Sequence, residues 1–155
     1  MSTGAWIVVA AVALALVVGA WRAATDGRFR GTRAVGGPGE AGVEATADPG
    51  ATSSAGAVLV AALGQQLGER ATLLQFSSAF CAPCRATRRV LDEVTGLVDG
   101  VAHVEVDAEQ HLDATRTLGI LRTPTTIVLG PDGAEVTRAT GAPTRDQVLT
   151  ALARL

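Results

Sequence analysis

Both cysteines of this 155-residue chain lie within four residues, Cys81-Ala82-Pro83-Cys84, and this stretch constrains the fold more than any other. Residues 72–76 before it are mostly apolar and are bounded by two serines, which is typical of a buried strand. Residues 84–98 after it repeat apolar side chains at helical spacing. A strand therefore ends and a helix begins at the cysteine pair, so both sulfurs are expected near a helix N-terminus.

The C-terminal part of the chain alternates between helical and extended patterns. Turn chemistry at 130–133 predicts a hairpin, and Thr144 with Gln147 forms a capping-box pattern that opens a last helix. The predicted elements are a helix over 59–67, strands over 72–76 and 101–107, helices over 84–98 and 110–118, strands over 125–129 and 134–140, and the last helix. This order predicts an α/β fold with helices on both faces of a central sheet.

The N-terminal part contains a run of seventeen residues, 5–21, without a single charge. As a helix it would extend over about 26 Å, close to the hydrocarbon thickness of a bilayer. Trp6 and Trp21 flank it, as interfacial aromatic residues do. We therefore expect an uncleaved single-pass membrane anchor. A cleaved signal peptide is the alternative, disfavoured because no basic residue precedes the run.

Four arginines, Arg22, Arg28, Arg30 and Arg33, follow this run directly. Basic residues next to a membrane segment tend to stay in the cytoplasm, which predicts a domain that faces the cytosol. Residues 31–56 are dominated by Gly, Ala, Pro, Ser and Thr and show no apolar periodicity, as in a flexible linker. The predicted organisation is an anchor over 1–22, a linker over 23–56 and a globular domain over 57–155.

The globular region resembles a thioredoxin domain with a thioredoxin fold. The resemblance is carried by Phe80 to Arg85 after a strand, Val106-Asp107 at the end of the next strand, Thr123-Pro124-Thr125 before the third, and Gly141-Ala142 before the last helix. It implies a cis bond before Pro124, beside the cysteines. It also implies a thiol–disulfide oxidoreductase that needs no cofactor beyond the redox-active Cys81–Cys84 pair. Protein disulfides would be its substrates and a dithiol its electron donor.

Within that resemblance, Cys81 is the expected nucleophile and Cys84 the resolving cysteine. A thiol at a helix N-terminus loses its proton more easily, and the thiolate is the reactive form. Pro83 is expected to fix the backbone between the two sulfurs. Arg85 places positive charge nearby, although an ordinary solvated side chain is an equal reading of this residue.

Two positions depart from the family pattern. Many thioredoxins carry a buried Asp six residues before the first cysteine, where this chain has Gln75, which cannot accept a proton. His103 lies on the next strand and is a candidate base, with an ordinary strand histidine as the alternative. The family's Trp before the first cysteine is Phe80 here, which we expect to keep an apolar cover over the pair.

The sequence also bears on other function classes. The net charge of −2 gives no sign of a nucleic-acid partner, since binding phosphates needs clustered positive charge. A zinc site would need four ligands, and His103 and His111 do not have a familiar spacing. A non-catalytic adaptor is possible on any fold. An extracytoplasmic protein for cytochrome c maturation or disulfide formation would share these residues but face the other compartment. We expect a monomer without a metal.

Overall fold

The computed structural model of the chain describes residues 3–25, 27–31 and 49–155. Five helices are present in these ranges: α1 (Thr3–Thr25), α2 (Pro49–Ala62), α3 (Ala82–Thr95), α4 (Leu112–Thr117) and α5 (Arg145–Leu152). Five strands accompany them: β1 (Phe29–Gly31), β2 (Ala71–Ser77), β3 (Val101–Asp107), β4 (Thr125–Leu129) and β5 (Glu135–Thr140). The predicted alternation of helix and strand in the C-terminal part is confirmed.

The strands form one mixed sheet in the order β1-β5-β4-β2-β3. Strand β2 runs parallel to β3 and antiparallel to β4, and β4 and β5 form the predicted antiparallel hairpin. The hairpin turn depends on Gly133, whose φ of 77° lies in the left-handed region that favours glycine. Its amide donates to the carbonyl oxygen of Gly130 at 2.9 Å, which closes the turn.

Helices cover both faces of the sheet, as predicted, and each face has its own apolar core. One core joins α2 and α4 to the sheet through Leu59, Val60, Leu74, Phe76, Val104, Val106, Leu118, Ile127 and Leu129. The other joins α3 and α5 to it through Ala71, Leu73, Leu91, Val94, Val128, Val148, Ala151 and Leu152. Because β2 contributes to both cores, all seven of its residues are buried. Strand β2 therefore fixes the point at which the cysteine segment leaves the sheet.

Helix boundaries differ from the predicted ones where glycine intervenes. The helix predicted over 59–67 is α2, which ends at Ala62, because Gly64 follows with a φ of 67° that a helix does not continue. Helix α5 begins at the predicted capping box: the Thr144 hydroxyl accepts from the Gln147 amide, and the Gln147 side chain accepts from the Thr144 amide. The backbone conformation of Gly64 thus ends α2, and side-chain capping begins α5.

Three elements of the structure fall partly or wholly within the predicted linker over 23–56: the end of α1, strand β1 and the start of α2. Strand β1 pairs with the outer edge of β5, with Phe29 opposite Ala139, and α2 begins at Pro49. Strand β1 was not predicted because its three residues are too few to show a periodicity. It forms by backbone pairing to an existing sheet edge. Residues 32–48 of that linker lie outside the described residues.

Helix α1 contains the uncharged run, and its described apolar side chains, such as Ile7 and Leu16, are exposed. Among the helices in the described ranges, none is both long and apolar enough to cross a membrane. The single-pass anchor predicted for residues 5–21 is therefore not supported by the structure.

Candidate active site

The cysteine pair lies where β2 passes into α3. Strand β2 ends at Ser77, three residues form a turn, and Cys81 is the N-cap residue of α3. Pro83 occupies the first turn of the helix, where its missing N–H costs nothing and its fixed φ suits helical geometry. The sequence therefore favours a helix start at this point, and the predicted position of both sulfurs near a helix N-terminus is confirmed.

The two sulfurs form a disulfide, with a distance of 5.2 Å between the Cα atoms. The backbone amide of Cys84 donates to Cys81 Sγ at 3.1 Å, so the sulfur takes the place of an N-cap oxygen. Cys81 is half-buried, whereas Cys84 is only 3% exposed. Because an external sulfur can approach Cys81 far more easily than Cys84, the two cysteines are not equivalent in reactivity.

A second loop lies beside the cysteine segment and contains the Thr123-Pro124 peptide bond, which is cis. The hydroxyl groups of Ser78 and Thr123 are 3.2 Å apart and share a hydrogen bond, which joins this loop to the turn before Cys81. The Pro124 carbonyl accepts from the amide of Gly141 at 2.8 Å, which ties the loop to the end of β5. Thr123 thus contacts the turn before Cys81, and the bond between Thr123 and Pro124 is cis, as the family resemblance implied.

An open pocket of about 400 Å³ adjoins the disulfide. Its walls contain both cysteines and a group of polar and charged side chains: Ser77, Ser78, Arg85, Arg88, Glu105 and Asp107. Arg88 on α3 forms an ion pair with Glu105 on β3, and the Ser77 hydroxyl donates to the other oxygen of Glu105 at 2.7 Å. The pocket is large enough to admit water and polar enough to hold it.

Gln75 is fully buried on β2, directly under the start of α3. Its side-chain amide donates to the carbonyl oxygen of Cys84 at 3.1 Å. Its Oε1 atom has no hydrogen-bond partner among the described residues. Gln75 therefore supports the backbone of Cys84, but it cannot exchange a proton with the thiol.

The His103 ring pairs with a residue of α3 and not with the cysteines. Its Nδ1 atom lies 2.7 Å from an oxygen of Asp92 on α3, and it does not line the pocket at the disulfide. The structure therefore gives the candidate base a partner on α3 and does not bring it to the cysteines. The sequence pattern correctly assigned His103 to β3 but contained no information about the partner of its ring.

Phe80 and Arg85 are both surface residues. The prediction that Phe80 covers the cysteine pair is wrong, because its side chain is 99% exposed. The turn between β2 and α3 directs the ring away from the domain. Arg85 is exposed and lines the pocket, so its charge does lie near the pair.

Sequence reasoning missed Ser77, Arg88 and Glu105 as site residues. Arg88 follows Cys84 by one helical turn, a spacing that places the two on one face of α3 and that a helical projection would have shown. Glu105 reaches the pocket because β2 and β3 pair in parallel with Gln75 opposite Glu105. That register is not encoded in any short segment.

Within the described part of the chain, no group of three or more His, Cys, Asp and Glu side chains is arranged to hold a metal ion. The polar groups at the pocket surround the two sulfurs of the Cys81–Cys84 disulfide. A mixed sheet, a cysteine pair at a helix N-terminus and an adjacent cis-proline loop define a domain of the dithiol–disulfide class. Within that class, the chain belongs to the thioredoxin family, because the family profile named Thioredoxin matches residues 60–154.

A curated relative agrees with this assignment. The chain is 34% identical over 70 residues to Thioredoxin H2-1 of Oryza sativa subsp. japonica, a match that covers 45% of this chain and 50% of the relative. The chain thus spans about half the length of the curated relative that it matches.

Solved structures show the same fold. A thioredoxin from Schistosoma mansoni has a TM-score of 0.53 at 23% identity and covers 63% of this chain and 89% of its own. Chloroplastic thioredoxin z has a TM-score of 0.53 at 22% identity and covers 63% of this chain and 86% of its own.

Proposed function

We propose that the domain is a thiol–disulfide oxidoreductase that reduces or exchanges protein disulfides through Cys81 and Cys84. The observation that carries this proposal is the unequal exposure of two bonded sulfurs at the start of α3: Cys81 is accessible and Cys84 is buried. An accessible sulfur at a helix N-terminus is suited to attack, because the unpaired amides and the helix dipole favour its thiolate.

The proposed reaction proceeds in two exchange steps. In the reduced domain, the Cys81 thiolate attacks one sulfur of a substrate disulfide and releases the other as a thiolate. Cys84 then attacks Cys81 Sγ in the mixed disulfide and releases the second substrate sulfur. The substrate disulfide gains two electrons, the Cys81–Cys84 disulfide forms, and a dithiol donor returns the domain to its reduced state.

Two serine variants of the full chain test these roles. Cys81→Ser should abolish the acceleration of insulin reduction by dithiothreitol, since the remaining thiol is buried. Cys84→Ser should form mixed disulfides with insulin that persist on a non-reducing gel. The two variants control for each other, because each loses the internal disulfide and keeps one thiol. Mixed disulfides in Cys81→Ser, or full activity in either variant, would contradict the proposal.

We further propose that residues 5–21 attach the protein to a membrane, with the domain on the cytosolic side. The uncharged run and the exposed apolar side chains of α1 support attachment, because apolar surfaces of this extent mark contact with a membrane or another protein. The four arginines after the run support the cytosolic orientation. Attachment would confine the oxidoreductase to substrates near that membrane.

A further inference from the structure

Resolution of a mixed disulfide requires that the buried thiol of Cys84 lose its proton. Cys84 is 3% exposed, so bulk solvent has little access to the sulfur. Gln75, the buried polar residue that contacts the Cys84 backbone, has no acidic proton and no group that accepts one at neutral pH. A proton acceptor for Cys84 must therefore be sought elsewhere around the pocket.

Glu105 is placed to fill this role. It lies opposite Gln75 in the parallel pairing of β2 with β3, and its side chain lines the same pocket as both cysteines. One carboxylate oxygen accepts from the Ser77 hydroxyl at 2.7 Å, and the other pairs with Arg88. These two contacts hold the carboxylate at the pocket wall, where its side chain remains 25% exposed.

The other charged groups around Glu105 are less suited. Asp107, two residues along β3, accepts from the Glu109 amide and from the Gln110 side chain, both at 2.9 Å, so its two oxygens stabilise the turn after the strand. His103, two residues before Glu105, pairs with Asp92 and does not line the pocket. Arg85 and Arg88 on the facing helix α3 are cations that accept no proton.

We propose that Glu105 accepts the proton of Cys84, through water in the pocket, during resolution of the mixed disulfide. This inference rests on the proposed oxidoreductase function. The Cys84 thiol gives its proton to a pocket water as that water gives one to the Glu105 carboxylate. The Cys84 thiolate then forms a bond to Cys81 Sγ, and the bond between Cys81 and the substrate sulfur breaks. The departing substrate thiolate takes up the proton, so the carboxylate is restored.

Dithiobis-nitrobenzoic acid separates the two steps, because the chain has only two cysteines and each exchange releases one coloured thiol. With the fully reduced, full-length protein, the first release reports the attack by Cys81 and the second reports resolution by Cys84. Glu105→Gln should leave the first phase unchanged and slow the second about a hundredfold near pH 7, the lower end of the range for general-base catalysis. The deficit should shrink as the pH rises above about 8.5, the pKa of a solvated thiol, because hydroxide can then remove the proton without the carboxylate.

Matched variants show whether a slower second phase is caused by lost proton transfer or by a lost ion pair. Glu93→Gln removes a comparable carboxylate–arginine pair, with Arg145, away from the pocket, and should change neither phase. Arg88→Met breaks the pair at the pocket but keeps the Glu105 carboxylate and its contact with Ser77, so it should slow the second phase less than Glu105→Gln does. Glu105→Asp, which keeps the carboxylate, should recover part of the rate that Glu105→Gln loses.

An unchanged second phase in Glu105→Gln would overturn the inference. So would equal slowing in Arg88→Met and Glu105→Gln, because the ion pair and not the carboxylate would then be responsible. Failure of the proposed function is a different result: the wild-type protein itself would not accelerate the reduction of insulin by dithiothreitol.

Discussion

Gln75 holds the backbone of the site together at the position where many thioredoxins carry an acid. Its amide reaches the Cys84 carbonyl at 3.1 Å from a fully buried position, so β2 supports the first turn of α3 directly. A buried hydrogen bond of this kind is worth about 1 kcal/mol net, and more when its loss leaves a polar group unpaired. In this chain, the residue at this position makes a structural hydrogen bond and cannot transfer a proton.

Replacement of Gln75 by Asp tests whether an acid at this position would change the Cys84 step. We expect Gln75→Asp to speed the Cys84 step at neutral pH and to lower the free energy of unfolding by about 1–3 kcal/mol, since a buried carboxyl replaces a hydrogen-bonded amide. Burial raises the pKa of such an Asp above its unfolded-state value of about 3.9. The stability deficit should therefore be small below that pH and grow as the pH rises through it.

Urea unfolding at pH 4 and pH 7, together with the two-phase thiol assay, measures both effects. Gln75→Asn is the control, because it has the same length as Asp and no titrating group. Its stability deficit should not depend on pH, and it should not accelerate resolution. If Gln75→Asp resolves no faster than Gln75→Asn, an acid at this position contributes nothing to the Cys84 step in this chain.

At the scale of elements, β1 is an addition to the sheet that lies close to the candidate site. The Gly27 amide donates to the Thr140 carbonyl at 2.9 Å, and the next residue, Gly141, donates to the carbonyl of the cis-proline. Gly27 itself is buried with a φ of 75°, and a Cβ there would clash with the Ala142 carbonyl and lie 2.7 Å from Cα of Pro143. The segment after α1 is therefore fitted to the loop that follows β5.

Gly27→Val should detach β1 from β5, because the side chain has no space and the backbone is in a region that β-branched residues avoid. We expect faster hydrogen exchange over residues 135–140 and unchanged exchange in β4, measured by mass spectrometry on the full chain. Gly64→Val is the matched control: its φ is 67° but a Cβ there meets nothing within 4 Å. Equal exchange in the two variants over 135–140 would show that the close fit of Gly27 does not hold β1 in place.

At the scale of the whole molecule, the thioredoxin domain is joined to a helix with exposed apolar side chains. Ile7 is 66% exposed and Leu16 is 69% exposed, whereas the residues of the two domain cores are almost completely buried. The chain thus combines a self-contained domain with a segment whose apolar surface the domain does not cover. Attachment of that segment to a membrane is the proposal that accounts for it.

Cell fractionation tests attachment and orientation together. The full chain should remain in the membrane pellet after extraction with alkaline carbonate, and a variant lacking residues 3–25 should be soluble. In intact cells, a membrane-impermeant maleimide should not label reduced Cys81 until the cells are lysed. Labelling of intact cells would contradict the cytosolic orientation and favour the extracytoplasmic alternative, and full extraction of the intact chain by carbonate would contradict stable attachment.

Much of the fold could be predicted from the sequence because its signals are local. The strand over Val101–Asp107 and the strand over Thr125–Leu129 have the predicted bounds, and the last helix begins at the predicted capping box. Each depends on side chains that interact within one turn or one strand. The boundary of α2 and the existence of β1 were not predictable in this way, because a positive φ and an available sheet edge decided them.

The sequence by itself determined that two cysteines begin a helix after a buried strand, since Pro83 and the apolar periodicities act over a few residues. Only the tertiary structure decided which side chains surround the sulfurs. The parallel register of β2 and β3 brings Glu105 to the pocket, the packing of α3 adds Arg88, and the same packing pairs His103 with Asp92. The physical reason is that strand register and helix packing depend on contacts between segments that are distant in sequence.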